Sequence, residues 1–387
     1  MAFPLLFLCY FFLVTIPFSS SASHKNQLSL DYYKKTCPKF QQTVAELVYS
    51  KQSTTPSTAP GVLRLFFHDC ITDGCDASIL ISSNGYMKAE RDADLNLSLS
   101  AEAFDLILKI KNALELTCPG VVSCADIMAQ STRDLIKMVG GPYYTVPLGR
   151  KDSLSSNASK VDAALPKPDF TMDKIIEKFT SKNFTVREMV ALTGGHTIGF
   201  THCKEFAHRI FGFSKTSQVD PTMNPKLVEG LKKLCANYTK DPSMSAFNDM
   251  RSPGKFDNAY YQNVLHGLGL LSSDSLLGRD PRTKPIVEQY AKDQNAFFQD
   301  FAKAMEKLEV LGVKTGKGGE VRQRCDQFNN MRGHPTDDYD HGMPMGHRRS
   351  AAATVGLSSS KSSVVMRRHR LALVGPDMKE EFDDGRF

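Results

Sequence analysis

Arg64 and His68 stand four residues apart in the stretch Arg64-Leu65-Phe66-Phe67-His68-Asp69-Cys70. On a helix that spacing sets a fixed cation and an imidazole on one face, one turn apart. Phe67 beside His68 gives the pair an apolar wall. A guanidinium and a base of near-neutral pKa, kept dry, suit polarising and deprotonating a small acidic oxygen species. An amphipathic helix with a packed core histidine would read the same way, so the heptapeptide needs support from elsewhere in the chain.

Support comes from three further clusters. Asp69-Cys70-Ile71-Thr72-Asp73-Gly74-Cys75-Asp76-Ala77-Ser78 sets carboxylates and hydroxyls around a glycine turn, the oxygen-rich environment a hard cation such as calcium takes. Zinc at Cys70 and Cys75 is the rival, but no further Cys/His pair stands nearby, and a disulfide across the turn suits secretion better. Gly194-Gly195-His196-Thr197-Ile198-Gly199 places a second histidine among glycines, which allow close approach of something large and flat. Downstream, Asp249-Met250-Arg251-Ser252 to Asp257 is another spaced oxygen set, and Asp274 puts a carboxylate after an apolar turn. Two histidine-centred sites, each with its own oxygen cluster, are hard to explain as packing.

The elements that must position these residues are mostly helical. Thr43–Lys51, Ala101–Leu116 and Ser123–Val139 carry apolar residues at three- and four-residue spacing, and Asn295–Leu311 forms a last strong helix stopped near Gly312. Ser123 to Asp126 and Thr185 to Glu188 read as capping boxes. The second opens a helix over Val186–Thr193 that runs into Gly194-Gly195-His196. Gly140-Gly141-Pro142 ends a helix, and Tyr144–Leu148 alternates as a short strand would. No internal repeat is found.

Composition fixes the compartment. Residues 1–22 form a secretory signal: Leu5–Phe18 is almost wholly apolar and Ser20-Ser21-Ala22 supplies a small-residue cleavage site. The run is short for a membrane span and lacks a basic flank. Of nine cysteines, Cys9 leaves with the signal, and the even remainder in a secreted chain implies disulfides without fixing their partners. Asn157, Asn183 and Asn237 lie in N-glycan sequons. The net charge of +6 sits on the body, because residues 326–387 balance nine Lys/Arg against nine Asp/Glu. A basic secreted surface suits adsorption to acidic wall polysaccharide. Dense basic runs with interleaved aromatics are missing, which argues against nucleic acid. Residues 326–387 are polar and cysteine-free, and read as a disordered tail or processed propeptide.

With these pieces assembled, the sequence resembles the class III plant secretory haem peroxidases over about Gln27 to Cys325. The resemblance rests on Arg64-Leu65-Phe66-Phe67-His68-Asp69-Cys70, Gly74-Cys75-Asp76-Ala77-Ser78, Ser123-Cys124-Ala125-Asp126, Val146-Pro147-Leu148-Gly149-Arg150, Ala191-Leu192-Thr193-Gly194-Gly195-His196-Thr197 and Phe256-Asp257-Asn258, in order. It implies an all-α fold of about ten helices in distal and proximal halves around one haem b, with a minor β-hairpin, over residues 23–325. It implies a monomer that reduces hydrogen peroxide and oxidises small phenolic donors by one-electron steps. His196 would be the haem iron ligand with Asp274 on its other ring nitrogen. His68 and Arg64 would act on peroxide, with Phe67 lining the haem, Asn96 fixing the His68 tautomer and Glu90 holding Asn96. Pro147 would meet the donor through its carbonyl. Two calcium ions would be held, one by Asp69, Thr72, Gly74, Asp76 and Ser78, the other by Thr197, Asp249, Ser252, the Lys255 carbonyl and Asp257. The implied disulfides are Cys37–Cys118, Cys70–Cys75, Cys124–Cys325 and Cys203–Cys235.

The chain departs from the family at four places. Ser252 stands where threonine is usual, Asn96 falls inside a sequon, Glu205 puts a charge at a rim position that is often aromatic, and the tail is longer than the family carries. The location expected is the extracellular space or cell wall, or the vacuole where the tail acts as a sorting signal. The rival reading is a catalytically silent, calcium-stabilised secreted glycoprotein that binds the wall.

Overall fold

The computed structural model describes residues 28–329. The signal expected at residues 1–22 and all but the first four residues of the tail expected at 326–387 lie outside the described residues. Among those described there are thirteen α-helices and one two-stranded sheet. The helices are α1 Phe40–Thr54, α2 Thr58–Thr72, α3 Ala101–Thr117, α4 Cys124–Met138, α5 Ser159–Ala164, α6 Met172–Thr180 and α7 Val186–Thr193. They continue with α8 Cys203–Ile210, α9 Pro225–Leu234, α10 Ala259–Leu265, α11 Ser272–Leu277, α12 Lys284–Lys292 and α13 Gln294–Leu308. The strands β1 Phe200–His202 and β2 Ser245–Phe247 pair antiparallel. Helices α8 and α9 lie between them in sequence, so the expected β-hairpin is instead a long-range ribbon.

Helices α1 to α4 pack on one another, while α7 lies along α13 and α10 along α12. Most buried apolar side chains form one continuous core; a smaller one gathers Phe206, Ile210, Leu227, Leu231 and Leu270 around Cys203 and Cys235. Four disulfides join Cys37 to Cys118, Cys70 to Cys75, Cys124 to Cys325 and Cys203 to Cys235. The Cys124–Cys325 bond spans 201 residues, and restricting an unfolded loop of that size stabilises the fold by roughly 2–5 kcal/mol.

Helix α7 starts on a full capping box: Thr185 Oγ1 accepts from Glu188 N, and Glu188 Oε2 accepts from Thr185 N at 2.7 Å. Helix α4 differs from expectation. Ser123 caps it, but Asp126 does not reach back. The Asp126 carboxylate instead accepts from Tyr33 Oη at 2.7 Å, Gly149 N at 2.7 Å and Arg150 Nη1 at 2.9 Å, tying three segments together in the core. The second anion at this helix end is Asp152, which accepts from Cys124 N and Ala125 N. A carboxylate there satisfies unpaired amides and complements the helix dipole.

Tyr144–Leu148 is not a strand. Its alternation is real, with Tyr144, Val146 and Leu148 buried, but no strand lies beside it and only Leu148 forms a bridge, to Ser29. The described residues run past the last cysteine to Asn329. Asp326 O accepts from Ser82 N, and the Asn329 side chain bonds Gln323 N and Val321 O.

Candidate active site

Helix α2 buries Val62, Leu65, Phe66, Asp69 and Cys70 in the core. That leaves Leu63, Arg64, Phe67 and His68 on another face, each with free surface. Pro60 sits in the first turn of α2, where its missing amide costs nothing. Across from this face, the turn Gly194–Thr197 continues from α7 and carries His196. A Cβ placed on Gly195 would lie 3.2 Å from Leu63 Cδ2, so α2 and this turn approach closely. His196 keeps 40% of its side-chain surface free although it lies deep in the molecule, and the Arg64 charge acts on both His68 and His196. Both rings keep free surface although they lie deep in the molecule, and one guanidinium acts on both, as expected of residues that face a common space.

The two imidazoles are held oppositely. His68 Nδ1 lies 2.7 Å from Asn96 Oδ1, and the amide is fixed in turn because Asn96 Nδ2 donates to Glu90 O at 2.8 Å. An amide oxygen only accepts, so Nδ1 carries the proton and Nε2 keeps a lone pair. Burial and the Arg64 charge bring His68 down to about 3, and the hydrogen bond to the neutral Asn96 only partly opposes them. His196 Nδ1 lies 2.9 Å from Asp274 Oδ1, which also accepts from Tyr260 Oη at 2.8 Å. Burial alone would lower the His196 pKa; the charge and hydrogen bond of Asp274 outweigh it and raise the value. One histidine is therefore a neutral base and the other an electron-rich one.

Arg64 is held by the Leu95–Ser98 loop, donating to Ser98 O and Ser98 Oγ at 3.0 Å each. Burial lowers its pKa, and the charge of Glu205 on α8 opposes that. Glu90 supports Asn96 through its backbone carbonyl only. Its carboxylate accepts from Ser78 Oγ at 3.0 Å and is pushed by burial up to about 7.

The oxygen clusters suit a cation by their uncompensated charge. Asp69, Asp76 and Glu90 are all buried near Ser78, Asp76 Oδ2 has no hydrogen-bond partner, and burial raises all three pKa values. The nearest cation to Asp76 is Lys314, 3.6 Å away. The Thr72 and Gly74 carbonyls lie on the same turn, accepting from Lys182 Nζ and Asp76 N. On the other side, Ser252 Oγ lies 3.1 Å from Asp249 Oδ2 and 3.0 Å from Asp257 Oδ1, while the buried Thr197 Oγ1 has no partner. Lys255 directs its ammonium to Asp257 at 3.5 Å. No group of three His, Cys, Asp or Glu gathers around one point among the described residues; each set has two aspartates completed by hydroxyl and carbonyl oxygens, a composition that fits calcium rather than a transition metal.

One expectation needs correction, and one expected site residue, Pro147, has a partner that the sequence did not show. Its carbonyl accepts from Arg150 Nη1 at 2.7 Å within the Asp126 cluster, because Arg150 is wholly buried and spends its donors on carbonyls of Pro147 and Glu309. Next to Asp274 in sequence, Ser273 N donates to the Pro168 carbonyl. The glycine before Gly195 serves protein rings rather than a ligand: a Cβ on Gly194 would lie 2.3 Å from Tyr261 Oη and 2.4 Å from Phe297. Glu90 is expected to hold Asn96, and the bond falls on its backbone carbonyl. Tyr260 is not legible in the sequence, because a tyrosine at that spacing does not signal a hydrogen bond to a histidine's partner.

Comparison with known proteins gives the family. The peroxidase family profile, described as "Peroxidase", matches residues 41–293. Peroxidase 6 of Arabidopsis thaliana is 57% identical over 327 residues, covering 84% of this chain and 98% of that protein. Peroxidase 65 and Peroxidase 41 of the same plant are 57% and 56% identical, over 79% and 82% of this chain and 90% and 96% of their own lengths. The chain belongs to the peroxidase family, as a class III plant haem peroxidase.

Proposed function

We propose that the cavity between His68 and His196 takes one haem b, and that the two histidines divide the work between holding it and moving protons. The observation that carries this is their opposite partnering: a neutral amide on His68 Nδ1, a carboxylate on His196 Nδ1. Bound haem would supply the redox capacity that no side chain here possesses. His196 would hold its iron through Nε2, with Asp274 raising the basicity of the ligand. Phe67 and Leu63 give the space an apolar wall.

His68 would take the proton of hydrogen peroxide on Nε2 and hand it to the departing oxygen as water leaves. Its low pKa keeps Nε2 unprotonated at working pH, and the Asn96–Glu90 relay keeps that nitrogen aimed inward. Arg64, already fixed by Ser98, would stabilise negative charge as the O–O bond breaks, with no reorganisation at the moment of reaction. Donors would enter from the α8 side, where Glu205 sets a negative charge that shifts preference among phenols. The oxygen sets at Asp69, Thr72, Gly74, Asp76, Ser78 and at Thr197, Asp249, Ser252, Lys255, Asp257 would each hold one Ca²⁺ and stiffen the segments bearing the two histidines.

Several features support a secreted glycoprotein: the signal-like leader, the disulfides, and sequons at Asn157, Asn183 and Asn237 that are all exposed. The sequon asparagine Asn96 is buried with both amide atoms engaged, so we infer that it carries no glycan. No helix among the described residues is long and apolar enough to cross a membrane. The catalytic domain would act as a monomer in the wall, with residues beyond Asn329 as a dispensable tail.

The test is rapid mixing of the purified holoprotein with hydrogen peroxide. His68→Ala should keep the haem absorbance band and react roughly 10²–10⁴ more slowly. An unchanged rate would remove His68 from the chemistry.

A further inference from the structure

Three tyrosine rings lead in contact from the Asp274 pair toward the surface. Tyr260 stands edge-on to His196 with ring centroids 5.9 Å apart, and its hydroxyl donates to Asp274 Oδ1. Tyr261 follows at 5.1 Å and Tyr290 at a further 5.1 Å. Tyr290 is itself buried, but its hydroxyl donates to Asp300 Oδ2 at 2.7 Å, and Asp300 pairs with Arg187, whose side chain is 46% exposed. The chain has no tryptophan, so tyrosine is its most readily oxidised ring, and the neighbouring phenylalanines Phe297 and Phe301 do not compete for an electron vacancy.

Oxidising a phenol requires somewhere for its proton. Both ends of this chain have such a place, since Tyr260 and Tyr290 each donate to a carboxylate. Tyr261 donates to the Val190 carbonyl, which cannot take a proton, so it serves as a bridge and not as a resting point. A packing role alone would not call for a carboxylate at each end of a contiguous run of oxidisable rings.

We propose that this run is a second oxidation route, reaching electron donors too bulky for the cavity. It rests on the haem-peroxidase reading above. Tyr290 gives up one electron through Tyr261 and Tyr260 to the active centre oxidised by peroxide, and its phenolic proton moves to Asp300. A bulky phenolic or redox-protein donor at the Arg187–Asp300 surface then returns one electron, the proton comes back from Asp300, and Tyr290 is restored.

The experiment freezes the holoenzyme shortly after mixing with one equivalent of peroxide and no donor, and records its electron paramagnetic resonance. In parallel, oxidation of ferrocytochrome c, a protein that cannot enter an interior cavity, is compared with oxidation of guaiacol. The wild type should show a tyrosyl radical and oxidise both donors. Tyr290→Phe, which keeps the ring, should lose the outer radical and ferrocytochrome c oxidation while guaiacol oxidation persists; Tyr261→Phe should do the same by breaking the bridge. A wild type that oxidises guaiacol without forming a tyrosyl radical would overturn the route, as would a Tyr290→Phe variant with unchanged signal and ferrocytochrome c rate. Absence of both the haem band and guaiacol oxidation would overturn the underlying reading, and this route with it.

Discussion

Asn96→Asp should raise the pKa of His68, while it also removes the amide that donates to Glu90 O. The side chain keeps its shape, but the oxygen 2.7 Å from His68 Nδ1 becomes part of a carboxylate. His68 then resembles His196, whose value its own carboxylate partner raises. An opposite charge at such range typically raises a pKa by about 1–3 units. Starting from about 3, His68 in the variant should titrate between about 4 and 6. In the wild type the proton-accepting form is lost only as pH falls through about 3, so the peroxide reaction should hold its rate across the neutral and mildly acid range. In the variant the acid limb should rise, and the rate at pH 5 should fall by up to about tenfold while the rate at pH 7 stays within about twofold. Stopped-flow decay of the haem band across pH, with haem content matched, measures this. An acid limb that stays where the wild type has it would refute the reasoning. So would an equal loss at every pH, which would mean that Asn96 acts by geometry alone.

Other outcomes follow from the same contacts. Burial pushes Glu309 up to about 8, its two oxygens lack hydrogen-bond partners and Arg150 Nη2 stays 4.0 Å away. Its folded value lies above the unfolded one, so the fold suffers no penalty below about 4.5 and loses stability as pH rises through about 8. Glu309→Gln should therefore be more stable than wild type at pH 9 by roughly 1–4 kcal/mol, and not at pH 4, by urea unfolding. Prolonged chelation should lower Tm and activity together, with a loss of about 3 kcal/mol per site where calcium had been at a hundredfold excess over Kd; full retention of both would remove the calcium sites. Truncation after Asn329 should leave haem content and guaiacol oxidation unchanged. Truncation after Cys325 should cost about 1–3 kcal/mol in denaturant, because Ser82 N and Gln323 N lose their acceptors.

What the sequence disclosed was whatever depends on residue type at short spacing. The Arg64–His68 pair, the Thr185–Glu188 box and the Val186–Thr193 helix are local patterns, and the structure places each as read. What depends on backbone atoms or distant partners was not legible. Glu90 holds Asn96 through a carbonyl, which any residue there would supply. Asp152 caps α4 from 28 residues away in sequence. Asp126, which looks like a box residue, is drawn off by Tyr33 and Arg150. Pro147 sits in a legible motif, but the bond from the buried Arg150 to its carbonyl could not be read from that motif. Strands β1 and β2 have three residues each, too few for alternation to register, and Tyr144–Leu148 alternates without any strand to pair with.

The division between the histidines is tested most directly by the absorption spectra of His68→Ala and His196→Ala, each expressed with haem and compared with wild type. The account predicts that His68→Ala keeps the haem band, since that ring is hydrogen-bonded to Asn96 and is not the iron ligand, while His196→Ala loses haem or holds it with an altered spectrum. A His196→Ala protein with a normal spectrum, beside a His68→Ala protein that has lost its haem, would contradict the account by reversing the two roles.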